Sequence, residues 1–225
     1  MLTWISRPIA AFVPISLLAF VLSACGSGEP ESSASSQEAC LLGNDCAIGD
    51  VGPGGGLVFL ISGGRTYEMA PKTWNGGTQD PYVEWCSDTD LDIVGASGVL
   101  DTAVGTGAAN TKLIVEACES GAANVVLDYD GGEETDWFLP SKDELNAMCN
   151  YSLNPTSPAA PTVVCSGSQN ETFESGTFGF VADGPYYWSS SQDGATYAWS
   201  QSFGDGYTFN ANKYETLQVR PVRAF

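Results

Sequence analysis

The sequence predicts an α+β fold in which helices and strands occupy different parts of the chain. Three observations lead to this prediction: a strand–turn–strand pattern over residues 57–70, helical spacing of apolar residues between 107 and 149, and short aromatic or alternating runs from residue 177 onward. The roughly 185 residues that follow the N-terminal region are enough for one domain with a sizeable core.

The first 24 residues have the character of an export signal. They hold one charge, Arg7, and an apolar run over residues 9–22 that is too short for a comfortable membrane span. The run ends in Leu22-Ser23-Ala24-Cys25, which resembles a bacterial lipobox, in which cleavage exposes Cys25 and its thiol receives a diacylglyceryl group. Gly26 follows instead of an inner-membrane retention aspartate, which predicts anchoring at the outer membrane or cell surface. The alternative is an ordinary signal peptide with a chance cysteine.

Residues 25–39 begin with this cysteine and continue through a polar, serine-rich stretch without an apolar period. Such a segment buries too little apolar surface to offset the entropy of ordering it, which predicts a flexible tether. The domain itself is expected to span residues 40–225, attached to the membrane through the lipid on Cys25.

The chain is strongly acidic, with 27 Asp and Glu against 8 Lys and Arg and a net charge of −19. Removing residues 1–24, which contain Arg7 and no acidic residue, leaves seven basic residues and a charge of −20. Binding a polyanion requires positive charge at the contact, so this balance argues against nucleic acid and other polyanionic partners.

Six of the seven cysteines remain when Cys25 is set aside, and an even number in an exported chain predicts disulfides. Proximity along the sequence favours the pairs Cys40–Cys46, Cys86–Cys118 and Cys149–Cys165. A zinc site is the alternative, and it is disfavoured because the chain has no histidine and no C-x-x-C pair.

The N-terminal hairpin is predicted from two apolar runs, residues 57–62 and 65–70, joined by Gly63-Gly64. The glycines at 52 and 54–56 resemble a phosphate-binding loop, but no Lys-Ser or Lys-Thr follows and a strand comes next, which favours a turn. Residues 72–105 have few periodic apolar positions and are expected to be mostly loop.

A first helix is predicted over residues 107–121. Leu113, Ile114 and Cys118 fall on one face at helical spacing, and Gly121 is a natural stop. Residues 122–129 are expected to form a further short helix or turn.

A second main helix is predicted after Ser141. Ser141 and Glu144 have the spacing of a capping box, in which each side chain bonds the other's backbone N–H. Asp143 and Glu144 also resemble a pair of catalytic carboxylates. Acids in a first helical turn complement the helix dipole, however, and we therefore favour a scaffold role for the segment TDWFLPSKDELNAMC.

The C-terminal part is expected to begin with a long loop over residues 150–175, closed by the Cys149–Cys165 pair. Strands then follow, separated by turn signals at Asp193-Gly194 and Gly204-Asp205-Gly206. Their predicted ranges are residues 186–190, 195–203, 207–210 and 217–225.

Five segments, in this order along the chain, carry a family likeness: IGDVGPGGGLVFLIS, VGTGAANTKLIVEAC, TDWFLPSKDELNAM, YYWSSS and QVRPVRAF. With them, residues 46–225 resemble the Lcl C-terminal domain family, named for the Legionella collagen-like adhesin. The resemblance implies an α+β domain with two main helices and a twisted antiparallel sheet, distantly similar to C-type-lectin-like folds, with the N-terminal hairpin near the terminal strand. The adhesin is taken to bind sulfated polysaccharides, but a charge of −20 disfavours such a ligand for this chain.

The sequence favours a non-catalytic surface binding or adhesion module, with a neutral glycan or a host or envelope protein as ligand. Aromatic faces beside Asp, Asn and Gln suit neutral sugars through stacking and hydrogen bonds. The candidate ligand-binding residues are Gln192, Asp193, Trp199, Asp205, Tyr207 and Asn210. The alternative assigns the tryptophans to the core and the acids to turns.

Two other functions stay open. The first is an enzyme: the absence of histidine excludes Ser-His and Cys-His nucleophiles, which leaves a carboxylate-pair glycoside hydrolase. The second is a structural envelope lipoprotein without a small ligand. No cofactor is predicted except a structural calcium ion, for which the densest acidic cluster offers Asp128, Asp130, Glu133 and Glu134.

Overall fold

Two β-sheets frame the fold, and the main helices lie in the chain between their strands. The computed structural model describes residues 40–42, 44–94, 100–181 and 186–225. The predicted signal peptide, Cys25 and the tether lie outside the described residues. No helix within the described ranges is long and apolar enough to cross a membrane.

The α+β prediction with two main helices is confirmed, and the longest helices in the described part of the chain are α1 and α3. In chain order the elements are β1 Leu57–Ser62, β2 Arg65–Met69, β3 Tyr82–Val83, α1 Gly107–Ala117, α2 Ala122–Leu127, a 3₁₀ turn Gly131–Glu133, α3 Lys142–Leu153, α4 Glu171–Ser175, β4 Tyr186–Gln192, β5 Tyr197–Ser202, β6 Thr208–Asn212, β7 Leu217–Gln218 and β8 Val222–Ala224.

The strands form a three-stranded sheet, in the order β1-β2-β8, and a five-stranded sheet, in the order β3-β7-β4-β5-β6. Within the described residues the strands pair in antiparallel fashion, except β4 with β7. Strand β2 pairs with β8, with Tyr67 opposite Ala224, so the expected position of the hairpin beside the terminal strand is confirmed.

The terminal run over residues 217–225 was predicted to be one strand, but it forms two. Strand β7 belongs to the five-stranded sheet and β8 to the three-stranded sheet, and Arg220 and Pro221 lie between them. Arg220 turns its side chain into the interior, where it is fully buried. The C-terminal run therefore joins the two sheets.

The core has two hydrophobic clusters. One gathers side chains such as Phe59, Tyr187 and Phe203, and the other is built around Trp85 and Trp188. All five of these side chains are at most 1% exposed.

Three disulfides connect the cysteines in the pairs that sequence proximity favoured. Their Cα–Cα distances are 4.4 Å for Cys40–Cys46, 5.5 Å for Cys86–Cys118 and 5.9 Å for Cys149–Cys165. Disulfides persist in oxidising compartments, so they indicate an exported, extracytoplasmic domain.

Two predicted boundaries are wrong. Helix α1 ends at Ala117, not at Gly121, which instead precedes α2. Gly121 has a φ of +146°, and a Cβ at this position would lie 2.5 Å from the Trp85 carbonyl oxygen, so the position requires glycine. Residues 150–175 are not all loop, because α3 continues to Leu153 and Asn170 caps the short α4. Strand β4 begins at Tyr186, as predicted, whereas the strand-like pattern noted from residue 177 gives no strand over residues 177–181.

Candidate functional site

The start of α3 is fixed by the capping box that the sequence predicted. The Ser141 N–H donates to Glu144 Oε2 at 2.7 Å, and the Glu144 N–H donates to Ser141 Oγ at 3.3 Å. The second carboxylate oxygen of Glu144 accepts the Gly105 N–H at 2.7 Å, which ties the loop before α1 to this helix. Burial raises the pKa of the fully enclosed Glu144, and these backbone donors oppose the rise. Glu144 is therefore part of the scaffold.

Two asparagines on α3 hold the following loop in place. The Asn146 amide donates to the carbonyl oxygens of Pro161 and Val163 at 2.6 and 2.8 Å, and its oxygen accepts the Cys165 N–H at 3.1 Å. Asn150 donates to the same Val163 oxygen at 2.7 Å. Together with the Cys149–Cys165 disulfide, these bonds make residues 160–166 a fixed wall beside α3.

A groove of about 540 Å³ lies between this wall and the turn that joins β5 to β6. We call it the α3 groove. Its lining comes from the first turns of α3, the fixed loop and the β5–β6 turn: Lys142, Asp143, Asn146, Pro161, Thr162, Val164, Asp205, Tyr207 and Thr208. A volume of this size falls within the range of small-ligand sites.

The α3 groove combines exposed apolar side chains with two carboxylates. Val164 and Tyr207 are 75% and 63% exposed. Burial raises the pKa of Asp143, the Lys142 ammonium opposes this rise, and the Asp101 carboxylate adds to it. Two hydrogen bonds lower the pKa of Asp205: first one with the Ser202 hydroxyl, and then one from the Tyr207 N–H. The two acids therefore sit in different electrostatic environments.

Trp199 lies beside the α3 groove, with one face of its ring covered. The Lys142 ammonium sits 3.4 Å from the ring centroid, a cation–π contact. Asn210 stands opposite Trp199 across the β5–β6 ladder and donates to Asp193 Oδ2 at 2.6 Å. Of the predicted ligand-binding residues, Asp205 and Tyr207 thus line the α3 groove, and Trp199, Asn210 and Asp193 form a connected row next to it.

Gln192 is the exception, because it is buried and does not line the α3 groove. It is 7% exposed, and its amide donates to Asp92 Oδ1 at 2.8 Å. Its oxygen accepts the Ile93 N–H at 3.2 Å and the Lys213 ammonium at 3.0 Å. Gln192 therefore ties an acidic loop to the sheet, with its polar atoms already paired.

Lys213 is the second anchor of that loop. It is fully buried, and it also donates to the Leu91 carbonyl oxygen at 2.6 Å. Burial lowers the pKa of Lys213 from 10.5 to about 8, and the carboxylates of Asp92, Asp88 and Asp90 oppose the shift.

This lowered pKa predicts a pH dependence of stability. Between about pH 8 and 10.5 the unfolded chain holds a proton that folded Lys213 has released, so the folded state gains stability as the pH rises through this window. The wild-type free energy of unfolding, measured against that of Lys213→Met by urea denaturation at several pH values, should rise over the same interval. A difference that is constant with pH contradicts the assignment. The comparison also removes the contribution of titrating tyrosines, which both proteins share.

The acids proposed for calcium do not converge. Glu134 pairs with Arg223 at 2.9 Å, whereas Asp128, Asp130 and Glu133 are exposed. Across the described ranges no three His, Cys, Asp or Glu side chains gather as ligands for a metal ion. Calcium binding stays a prediction.

The sequence profile of the Lcl C-terminal domain family matches residues 77–223. The chain belongs to this family. The match begins after the β1–β2 hairpin. Because β2 pairs with β8, the hairpin nevertheless belongs to the same three-stranded sheet as the last strand of this Lcl C-terminal domain. The α3 groove lies wholly inside the match. No curated protein matches the chain.

Sequence reasoning missed the α3 contribution to the groove of this Lcl C-terminal domain. The capping box placed Lys142 and Asp143 in a first helical turn, where both side chains are partly exposed. A polar, half-exposed helix start next to a disulfide-closed loop was the available signal. The position of that helix start relative to β5 and β6 was not available from local sequence.

Proposed function

We propose that this Lcl C-terminal domain is a non-catalytic binding module, carried on a lipid anchor at Cys25 at the outer membrane or cell surface, and that its α3 groove binds a neutral glycan. The observation that supports this most directly is the exposed Tyr207 ring in an open groove between Asp143 and Asp205. Neutral sugars are bound in proteins by such a combination of an aromatic face and carboxylate acceptors.

The charge of the groove supports a neutral ligand over a sulfated one. Lys142 is the one cation in its lining, against two aspartates, and its ammonium is already engaged with Trp199. A sulfated polysaccharide would meet net negative charge at the site and on the chain as a whole.

The Tyr207→Ala variant is expected to weaken glycan binding at least about tenfold, because it removes a largely exposed aromatic ring from the groove lining. The full-length chain would be screened on a glycan array. The neutral glycan that binds best would then be titrated into the wild type, the Tyr207→Ala variant and a control variant. Tyr214→Ala is the matched control, since Tyr214 is similarly exposed, at 61%, and does not line the groove.

Three results would count against the proposal: no neutral glycan bound, equal losses in the Tyr207 and Tyr214 variants, or a selected ligand that is polyanionic. Urea denaturation of each variant shows whether a loss of binding reflects a loss of fold.

The opposite pKa shifts of Asp143 and Asp205 favour one second candidate, a carboxylate-pair glycoside hydrolase. An acid with a raised pKa and a base with a lowered pKa are the two roles that such an enzyme needs. Sugar release from the bound glycan by the wild-type chain, abolished in Asp143→Asn, would replace the binding proposal with this one.

A further inference from the structure

We propose that a second groove, along α1, docks a cationic peptide segment that inserts one large apolar side chain. This groove, which we call the α1 groove, has a volume of about 350 Å³ and lies on the part of the chain between residues 108 and 138, away from the residues of the α3 groove. Its volume holds one or two large side chains.

The floor of the α1 groove is apolar. Its apolar lining comes from Ala108 and Val115 of α1, from Leu127, and from the edges of the largely buried Trp137 and Phe138. Leu127 is the last residue of α2 and is 42% exposed, whereas its neighbour Val126 is completely buried. An exposed leucine in an apolar groove provides the contact area that an anchoring side chain needs.

The rim of the α1 groove is acidic. The exposed charged residues of its lining are two acids, Glu116 and Asp136, and one base, Lys112. A further exposed acid, Asp128, directly follows Leu127. An apolar centre with a charged rim is the usual arrangement of a protein interface.

Asp136 also extends the negative charge into the neighbouring cluster around Arg223. Arg223 is shared by three carboxylates, those of Glu68, Glu134 and Asp136, which leaves two negative charges in excess. The electrostatic field at the rim therefore selects for a positively charged partner.

The same charges disfavour the other occupants. A second copy of the chain would bring a further net charge of −19 and, in a two-fold arrangement, an identical acidic rim against this one. An anionic membrane surface is repelled for the same reason. A peptide with alternating lysines and leucines satisfies both the rim and the floor.

The test uses two synthetic amphipathic peptides of the same pattern, one built from Lys and Leu and one from Glu and Leu, titrated onto the full-length chain by fluorescence anisotropy. We expect binding of the Lys/Leu peptide only, weakened by added salt. Glu116→Lys should reduce its affinity about fivefold to tenfold, because the substitution replaces an attraction with a repulsion. Glu119→Lys makes the same change in net charge at an exposed position outside the groove, and it should reduce the affinity less than about twofold.

A second pair of variants tests the apolar floor. Leu127→Ser should lower the affinity for the Lys/Leu peptide about tenfold, and Leu42→Ser, at a leucine that is 75% exposed and outside the groove, should leave it unchanged. Equal losses of affinity in Glu116→Lys and Glu119→Lys would show that the peptide responds only to the overall charge of the chain, and would overturn the proposal. Binding of the Glu/Leu peptide, no binding of either peptide, or a dimer that Leu127→Ser dissociates would overturn it as well.

Discussion

Replacing Asp80 with alanine is expected to lower the free energy of unfolding by about 3–5 kcal/mol, the largest single-residue effect that we predict for this protein. The Asp80 and Arg220 side chains are both completely buried and form an ion pair. The substitution leaves the Arg220 guanidinium in the interior without a counter-charge. Many domains are stable by only about 5–15 kcal/mol, so the loss brings this variant close to unfolding at room temperature.

The effect is large because Asp80 is the centre of a network that joins distant parts of the fold. Its carboxylate accepts the Trp74 indole N–H at 2.9 Å and the Tyr187 hydroxyl at 2.7 Å, in addition to the Arg220 Nε–H at 2.8 Å. Arg220 in turn donates to the Phe178 carbonyl oxygen at 3.0 Å. One deletion thus affects the loop after β2, the start of β4 and the link between the two sheets.

Two further variants separate a buried charge from a lost hydrogen bond. Tyr187→Phe removes one hydroxyl and should cost about 1–3 kcal/mol. The double variant Asp80→Ala/Arg220→Met removes both charges and should be more stable than Asp80→Ala alone, because replacing a buried ion pair with apolar groups costs less than leaving one ion unpaired. The measurement is urea denaturation, with the slope as a check on two-state behaviour. A loss below about 1 kcal/mol in Asp80→Ala, or a double variant that is less stable than the single one, would contradict this account.

The parts of the fold that have local causes could be predicted from the sequence. The Ser141–Glu144 capping box and the Gly63-Gly64 turn depend on residues within a few positions of one another, and the structure contains both. The C-terminal strands could be placed because turn signals separate aromatic runs. Their division between two sheets could not be predicted, because it depends on the contact of Arg220 with Asp80, which lies 140 residues earlier in the chain.

The candidate site shows the same division. Tyr207 and Asp205 lie in a turn that the sequence marks as exposed, and both line the α3 groove. Gln192 was a candidate because it is an amide side chain in the aromatic C-terminal β region. The structure buries it, and Asp92, 100 residues before it, accepts its amide N–H. Lys142 was recognisable as a helix residue, whereas its contact with Trp199 follows from the packing of α3 against the sheet.

The second large effect is expected from removing the Cys86–Cys118 disulfide. This bridge spans 32 residues, against 16 for Cys149–Cys165 and 6 for Cys40–Cys46. In the chain-entropy model a longer closed loop restricts the unfolded chain more, which gives stabilisations of about 4, 3 and 2 kcal/mol in that order. Replacing each pair with two alanines should reproduce this order in the free energies of unfolding.

The Cys86–Cys118 variant should lose stability without losing its native structure, because backbone hydrogen bonds already hold the two ends together. The Ser87 N–H donates to the Ser120 carbonyl oxygen at 2.8 Å, and the Ala122 N–H donates to the Trp85 carbonyl oxygen at 3.2 Å. The circular dichroism spectrum at low urea should therefore match that of the wild type, while the urea midpoint falls. A changed spectrum would mean that the disulfide positions α1 in the folded state, and equal losses in the three double-alanine variants would show that loop length does not determine the stabilisation.

With the bridge removed, these two hydrogen bonds become the main links at this point. A Cβ added at Gly121 would lie 2.5 Å from the Trp85 carbonyl oxygen and would disturb them, so Gly121→Ala should be more damaging in the Cys86→Ala/Cys118→Ala background than in the oxidised chain.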